Sequence, residues 1–181
     1  MMTRTEKEKM LAGELYNADA HELQAEMAIT YAWLARYNAA LGESVSKLRE
    51  LLLERLATVG EGATIRPPFH CDYGFNISLG ANVFLNFNCV ILDVVEVTIG
   101  DKTQIGPGVQ ILTADHPRDA AKRASGLEFG HPIRIGRNLW IGTLSKEMEL
   151  APNLSAEYLS VKTTIVTEQT IETAGFFVIS V

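Results

Sequence analysis

From Val59 to Gly142 an aliphatic residue recurs every six positions, often followed by glycine, and then the rule stops. Val59-Gly60 and Ile65 open the series; Tyr73-Gly74, Leu79-Gly80, Leu85 and Ile91 continue it. Ile99-Gly100, Ile105-Gly106 and Ile111 follow, and Ile135-Gly136 and Ile141-Gly142 close it. A period of six matches neither a helix (about 3.6) nor the alternation of a flat strand. It matches a chain wound round a triangular prism with one short strand per face. The aliphatic side chain points inward and the small residue lets the backbone turn the corner. Hexapeptide repeats of this kind predict a parallel β-helix. After Gly142 the positions in register are Glu147 and Asn153, which cannot line an apolar core.

Two spacings are eight, Ile65 to Tyr73 and Ile91 to Ile99, and each fits a two-residue bulge at a corner. Between Ile111 and Ile135 the rule would bury Pro117, Arg123 and Phe129. Proline and arginine cannot serve there, so residues 113–131 are expected to leave the prism as a loop. A loop of that length on a compact scaffold is often functional. It carries His116 and His131, each followed by proline.

Residues 1–57 read as a helical segment. Thr5 suits the cap of a first helix with Glu6 and Glu8 in its first turn, and Gly13 ends it. Asp19 is the candidate cap of a longer second helix with an apolar stripe of Leu23, Met27, Tyr31 and Leu34. Gly42 breaks that helix, and Ser44 starts a third with Val45, Leu48, Leu52 and Leu56 on one side. Such a segment is expected to cap the rail, because a solenoid end exposes apolar core and unpaired strand edges. The chain thus divides into a helical segment (1–57), a β-helix (58–142) with its protruding loop, and a tail (143–181) without the hexapeptide pattern. In the tail, Met148, Leu150 and Leu154 suit a short helix, and 163–167 and 176–179 read as strands.

A net charge of −6 argues against nucleic acid as the main partner, since phosphate binding needs a basic face. No run of about 18 apolar residues appears, so no membrane span is expected. The N-terminal stretch MMTRTEKEKML lacks the apolar centre of a signal peptide. Cys71 and Cys89 accordingly read as reduced thiols of a cytoplasmic protein. His70, Cys71 and Asp72 are adjacent, and alternate residues of a strand point to opposite faces, so no metal site is expected there.

The stretches EKEKMLAGELYNA, PPFHCDYGFNISLGANVFLNFNCVILD, VTIGDKTQIGPGVQILTADHPRD and GLEFGHPIRIGRNLWIG resemble the maltose and galactoside O-acetyltransferases of the hexapeptide acyltransferase superfamily. The resemblance covers about residues 5–142. It implies a left-handed β-helix with an N-terminal helical segment, and a homotrimer with sites between adjacent subunits. It also implies acetyl-CoA as co-substrate and a sugar hydroxyl as acceptor. Matched residue by residue, it makes His116 in TADHPRD the catalytic base and Asn86 of NFN its catalytic companion. Asp93, Tyr16, Asn17, Glu128 and Trp140 become acceptor contacts. Trp140, Gly142 and Thr143 are the candidate donor contacts, with the backbone N–H near Thr143 expected to face the thioester carbonyl. Plainer readings stand beside these. Asn86 and Asn88 suit stacked corner asparagines, Asp93 suits an acceptor of backbone N–H groups after Ile91, and Trp140 suits packing between subunits. The chain departs from the family at Thr143, where TLSKEMELAPNL replaces the coils that cradle coenzyme A.

Acetyl transfer from a thioester needs a base for the hydroxyl proton and donors for the oxyanion. Histidine, with an unperturbed pKa of about 6.5, is the usual base. Asn86 can bond either the sugar hydroxyl or the developing charge. Neither cysteine is placed as a nucleophile, so direct transfer is expected, to a sugar of maltose or glucose type. A second reading is a trimeric β-helix scaffold with impaired or no catalysis, because its cofactor-binding coils are replaced.

Overall fold

The computed structural model describes residues 4–142 and, beyond them, the backbone of three strands. One parallel sheet contains β2 (Thr58–Val59), β5 (Ile77–Leu79), β8 (Val97–Ile99), β13 (Ile133–Ile135) and β16 (Thr170–Ile171). A second contains β3 (Thr64–Ile65), β6 (Phe84–Leu85), β9 (Gln104–Ile105), β14 (Trp140–Gly142) and β17 (Phe176–Ser180), with β15 (Leu159–Lys162) on the far side of β17. The third contains β4 (Phe69–Cys71), β7 (Cys89–Leu92) and β10 (Gln110–Leu112). From β2 to β10 the chain visits the three sheets in rotation, so each coil lies on the one before.

The pairing fixes a coil of twenty residues: Val59 aligns with Leu79 and Leu79 with Ile99. Ile65 aligns with Leu85 and Leu85 with Ile105. Cys71 aligns with Ile91 and Ile91 with Ile111. These side chains all lie in one buried cluster. The steps within a coil are therefore six, six and eight, which corrects the expected place of the first bulge. Cys71, not Tyr73, holds the interior position, and the step of eight runs from Cys71 to Leu79. Tyr73 lies in the bulge, within a second buried cluster with Met10, Tyr16, Leu23, Val94 and Val95. The thiol packs as a small apolar residue, but Tyr73-Gly74, two places on, carries the residue-plus-glycine signature of the rail and Cys71-Asp72 does not.

At the corner from the first sheet to the second, the coils touch through backbone. A Cβ on Gly60 would overlap Gly80 and Ala81; one on Gly80 would lie 2.7 Å from Asp101 N. One on Gly100 would lie 2.7 Å from Arg137 N. Two residues further on, Gly62, Asn82, Lys102 and Asn138 take left-handed φ of 70°, 56°, 60° and 58°. That repeated conformation, which glycine and asparagine tolerate best, turns the chain onto the second face.

Every surplus residue of the coil leaves at the corner from the third sheet to the first: 72–76, then 93–96, then 113–132. The last excursion is ordered, contrary to the expected loop. β11 (Ala114–Asp115) and β12 (Leu127–Gly130) form an antiparallel hairpin, with the short helix α4 (Ala120–Ala124) between them. The strand β1 (Tyr16–Asn17) adds to β12 from the other side. Strands of two to four residues are too short for a clear alternation to show in sequence.

Three helices precede the rail. α1 (Glu6–Leu11) starts with a capping box between Thr5 and Glu8. α2 (His21–Ala39) is capped at Ala20 with no side-chain bond, so Asp19 is not its cap. Asn17 Oδ1 instead accepts from Asp19 N in the turn before it. The buried stripe of α2 is Leu23, Thr30, Trp33, Leu34 and Tyr37; Tyr31 is half exposed and lies off it. α3 (Val45–Arg55) starts at Ser44, whose hydroxyl accepts from Lys47 N. It buries Leu51 and Leu52, and the following Leu56 is buried too, whereas Val45 is exposed.

These helices satisfy the otherwise open edge of the first coil. Tyr37 donates to Ile65 O at 2.6 Å, and Arg49 donates to Val59 O and Gly60 O. Asn38 brackets Phe69, donating to its carbonyl and accepting from its N–H. An uncovered edge would leave those groups unpaired beside apolar core. Among the described residues no helix is long and apolar enough to cross a membrane.

Beyond Gly142, β16 aligns Ile171 with Ile135 and β17 aligns Phe177 with Ile141. Sheet stacking thus resumes 36 residues on, a step that also separates Ile99 from Ile135. The expected helix around Met148, Leu150 and Leu154 and the expected strand at 163–167 lie outside the described residues. The strand expected at 176–179 is β17.

Gly80→Ala is expected to cost about 1–3 kcal/mol, because the new methyl group meets backbone that cannot swing aside. Urea denaturation measures it, and a native midpoint would refute the account of the corner.

Candidate active site

The hairpin of β11 and β12 is tied down at its root and at its crest. At the root, Thr113 donates from Oγ1 to Leu92 O and accepts from Val95 N, joining it to the bulge below. A Cβ on Gly130 would press into Val94 and Val95, so β12 lies tight against that bulge. At the crest, Asp115 accepts from His116 N at 2.7 Å and from both terminal nitrogens of Arg118 at 3.1 and 3.0 Å. Asp115 therefore sets the backbone from which His116 projects. The imidazole is more than half exposed, and its Nε2 lies 3.9 Å from Glu128 Oε2.

Glu128 stands on the neighbouring strand of the hairpin and is largely buried. Its other oxygen accepts from the Tyr16 hydroxyl at 2.5 Å. Tyr16 reaches it because β1 pairs Tyr16 with Glu128. Tyr16 is fully buried, so it lies behind Glu128 rather than on the surface where an acceptor contact was expected. Burial first, and Glu128 second, push the Tyr16 hydroxyl pKa up, so it stays protonated and donates. Asn17 is exposed, and its side-chain oxygen is held by the turn into α2.

Beneath the hairpin lie two more carboxyls. Asp93 is fully buried and accepts three backbone N–H groups, those of Asp72, Tyr73 and Asn76. Asn76 returns a bond from Nδ2 to Asp93 O. Asp93 thus staples the upper bulge to the lower one, and in this chain both its oxygens are occupied. Burial pushes its pKa up to about 7; the Asp72 charge adds to this, and the Tyr73 and Asn76 N–H groups oppose it. Asp72 is pushed up to about 6, by burial first and by the Glu128 charge second.

The other expected site residues lie elsewhere. Asn86 follows β6 at the corner from the second sheet to the third. Within one chain the whole third sheet separates it from His116, so His116 and Asn86 are not brought together. Asn88 takes the left-handed corner conformation with φ 61°, whereas Asn86 is absent from the positive-φ positions. Trp140 lies on the outer side of β14, 42% exposed, with its indole across Gly142 so that a Cβ there would overlap the ring. Thr143 lies outside the described residues. His131 donates its N–H to Thr113 O and meets Phe129 edge-on, at the foot of the hairpin. On β4, His70 is exposed while Cys71 is buried. Sequence reading missed Asp115 as the anchor of His116 and Asp72 as a carboxyl of altered acidity. The bidentate spacing Asp115–Arg118 was the available signal for the first.

A short hairpin carrying histidine and glutamate thus stands on a hexapeptide rail with a helical cap. Residues 9–60 match the family described as maltose acetyltransferase hexapeptide capping motif. Nodulation protein L of Rhizobium leguminosarum bv. viciae is 64% identical over 141 residues, 78% of this chain and 74% of that protein. Among solved structures, a maltose O-acetyltransferase from Clostridium difficile 630 is similar with a TM-score of 0.76 and 40% identity, over 78% of this chain and 76% of that one. Galactoside acetyltransferase in complex with coenzyme A is similar with a TM-score of 0.73 and 35% identity, over 77% and 70%. The chain belongs to the hexapeptide-repeat acetyltransferase family, which includes the maltose and galactoside enzymes.

Asp72 and Asp93 both hold protons above the ordinary carboxyl pKa of about 4. The folded state then binds more protons than the unfolded one between about pH 4 and pH 7, and these two groups make stability fall as pH rises through that window. Asp72→Asn removes the Asp72 share, which is lost mainly between pH 4 and 6. At pH 7 the variant is expected to exceed the native protein by about 1–2 kcal/mol after discounting for partial exposure, and at pH 4 to match it. Urea midpoints at the two pH values decide, and an equal difference at both would reject the assignment.

Proposed function

We propose that this protein transfers the acetyl group of acetyl-CoA directly to a hydroxyl of a maltose- or glucose-type sugar. The observation that carries this reading is the Tyr16–Glu128–His116 array on the hairpin. The sugar hydroxyl attacks the thioester carbonyl carbon, and His116 takes its proton. The tetrahedral oxyanion then collapses, the carbon–sulfur bond breaks, and the thiolate leaves with the proton returned from His116. Glu128, kept in place by Tyr16, orients the imidazole and steadies the imidazolium between the two transfers. A positioned base of this kind contributes about 10²–10⁴-fold. Trp140 and Gly142 contact acetyl-CoA in this proposal, and Thr143, next in sequence, adds a donor contact. Asp93 shapes the acceptor side by holding the bulge, and Asn17 lines its rim. No metal takes part.

The working form in this proposal is a homotrimer of left-handed β-helices in the cytoplasm, where the buried free thiols of Cys71 and Cys89 stay reduced. The separation of His116 from Asn86 supports it: a neighbouring copy supplies Asn86 to each His116. His116→Ala and Asn86→Ala are each expected to lower thiol release from acetyl-CoA with maltose at least 100-fold. Trimers reassembled from a one-to-one mixture of the two variants are expected to recover roughly a quarter of native activity, by random assortment round a closed ring. A mixture as inactive as its parts would exclude a shared site.

The replaced sequence after Gly142 favours a second reading, a trimeric scaffold that binds sugar with little transfer. Calorimetric titration with coenzyme A separates the two, since the enzyme binds it and the scaffold does not.

A further inference from the structure

Asn86 takes part in the reaction as written, but the polar array that holds it does not yet have a role. Arg66 follows β3, and Asn86 follows β6 one coil above, because Ile65 pairs with Leu85. Arg66 N donates to Leu85 O and Asn86 N to Ile105 O, so both backbones are fixed in the ladder. The Arg66 guanidinium lies 3.9 Å from the centre of the Phe87 ring. From that platform Nη1 donates to Asn86 Oδ1 at 3.4 Å. Asn86 Oδ1 also accepts from Phe87 N at 2.9 Å.

An amide oxygen offers two lone pairs, and here a backbone N–H and a guanidinium take both. What Asn86 presents is its Nδ2 group, which only donates. We propose that Arg66, braced on Phe87, is a positioning residue that fixes the Asn86 amide as a donor to the oxyanion of acetyl transfer; this rests on the reading given above. A charge-assisted bond to the amide oxygen polarises the amide and makes its N–H groups better donors. Asn86 then does not accept from the sugar hydroxyl, and the hydroxyl proton passes to His116 alone. Lysine cannot replace arginine here, because an ammonium lacks the planar face that rests on the ring.

Two measurements on the full chain test this. The first needs no turnover: the side-chain amide resonances of Asn86, assigned by their loss in Asn86→Asp, are followed by nitrogen–proton correlation. They are expected to shift in Arg66→Met with little change elsewhere, and unchanged amide signals would overturn the brace. The second is a cycle of kinetic constants. Arg66→Met is expected to lower kcat about tenfold, part of the 10²–10³ that an oxyanion donor contributes, with both KM values within about twofold. In an Asn86→Ala background the same change is expected to add nothing, since the two act as one unit. A raised sugar KM that persists in that background would mean that Arg66 touches the acceptor itself, overturning the positioning role. A lowered melting temperature with native kcat would reduce it to packing. If the amide signals shift but the native chain transfers no acetyl group, the acetyl-transfer reading fails and the brace has no catalytic purpose.

Discussion

Each coil of this protein rests on the next through bare backbone at one corner, and this contact sets everything above it. Gly60, Gly80 and Gly100 leave no room for a side chain, and the left-handed residues that follow turn the chain by the same amount each time. With that corner invariant and the second corner nearly so, the third corner must absorb every extra residue. It does so twice as a short bulge and once as a hairpin, and the three excursions lie one above another. A column of irregular structure on a regular rail is where polar side chains can gather without breaking a sheet.

The helical segment serves that column as well as the open end of the rail. Tyr37, Asn38 and Arg49 bond to the first coil, while Met10, Tyr16 and Leu23 pack against Tyr73, Val94 and Val95 in the bulges. One apolar cluster thus fixes β1, and β1 fixes β12. Asp93 binds the two bulges to each other through backbone N–H groups, at the cost of holding a carboxyl in a place that favours its protonated form. The exposed imidazole of His116 stands on top of this stack. Its immediate supports, Asp115 and Glu128, come from the two strands of the hairpin.

Much of this was legible residue by residue. The six-residue rule located the interior column correctly wherever the inward residue was aliphatic. It failed at Cys71, because Tyr73-Gly74 imitates the residue-plus-glycine signature of the rail while Cys71 is followed by aspartate. The caps at Thr5 and Ser44 followed from side-chain chemistry, but Asp19 misled, since the turn before α2 uses Asn17 instead. The stripe through Tyr31 drifted because α2 is buried along Thr30, Trp33 and Tyr37, all three of which carry polar atoms that find partners only in the fold. His116 and Glu128 were picked out by resemblance; that Tyr16 and Glu128 share a hydrogen bond across 112 residues was beyond any local pattern.

The sequence by itself determined the coil, since a period of six with small corner residues admits few other windings and the interior must be apolar at those positions. It also determined which polar residues were available for chemistry. Tertiary structure alone decided which of them meet. It buried Tyr16 behind Glu128 and engaged both oxygens of Asp93 with backbone N–H groups. It placed His116 and Asn86 on different corners, because which residues share a corner depends on where the two-residue surplus falls in each coil. That surplus is a property of the packed column, and no single stretch of sequence encodes it.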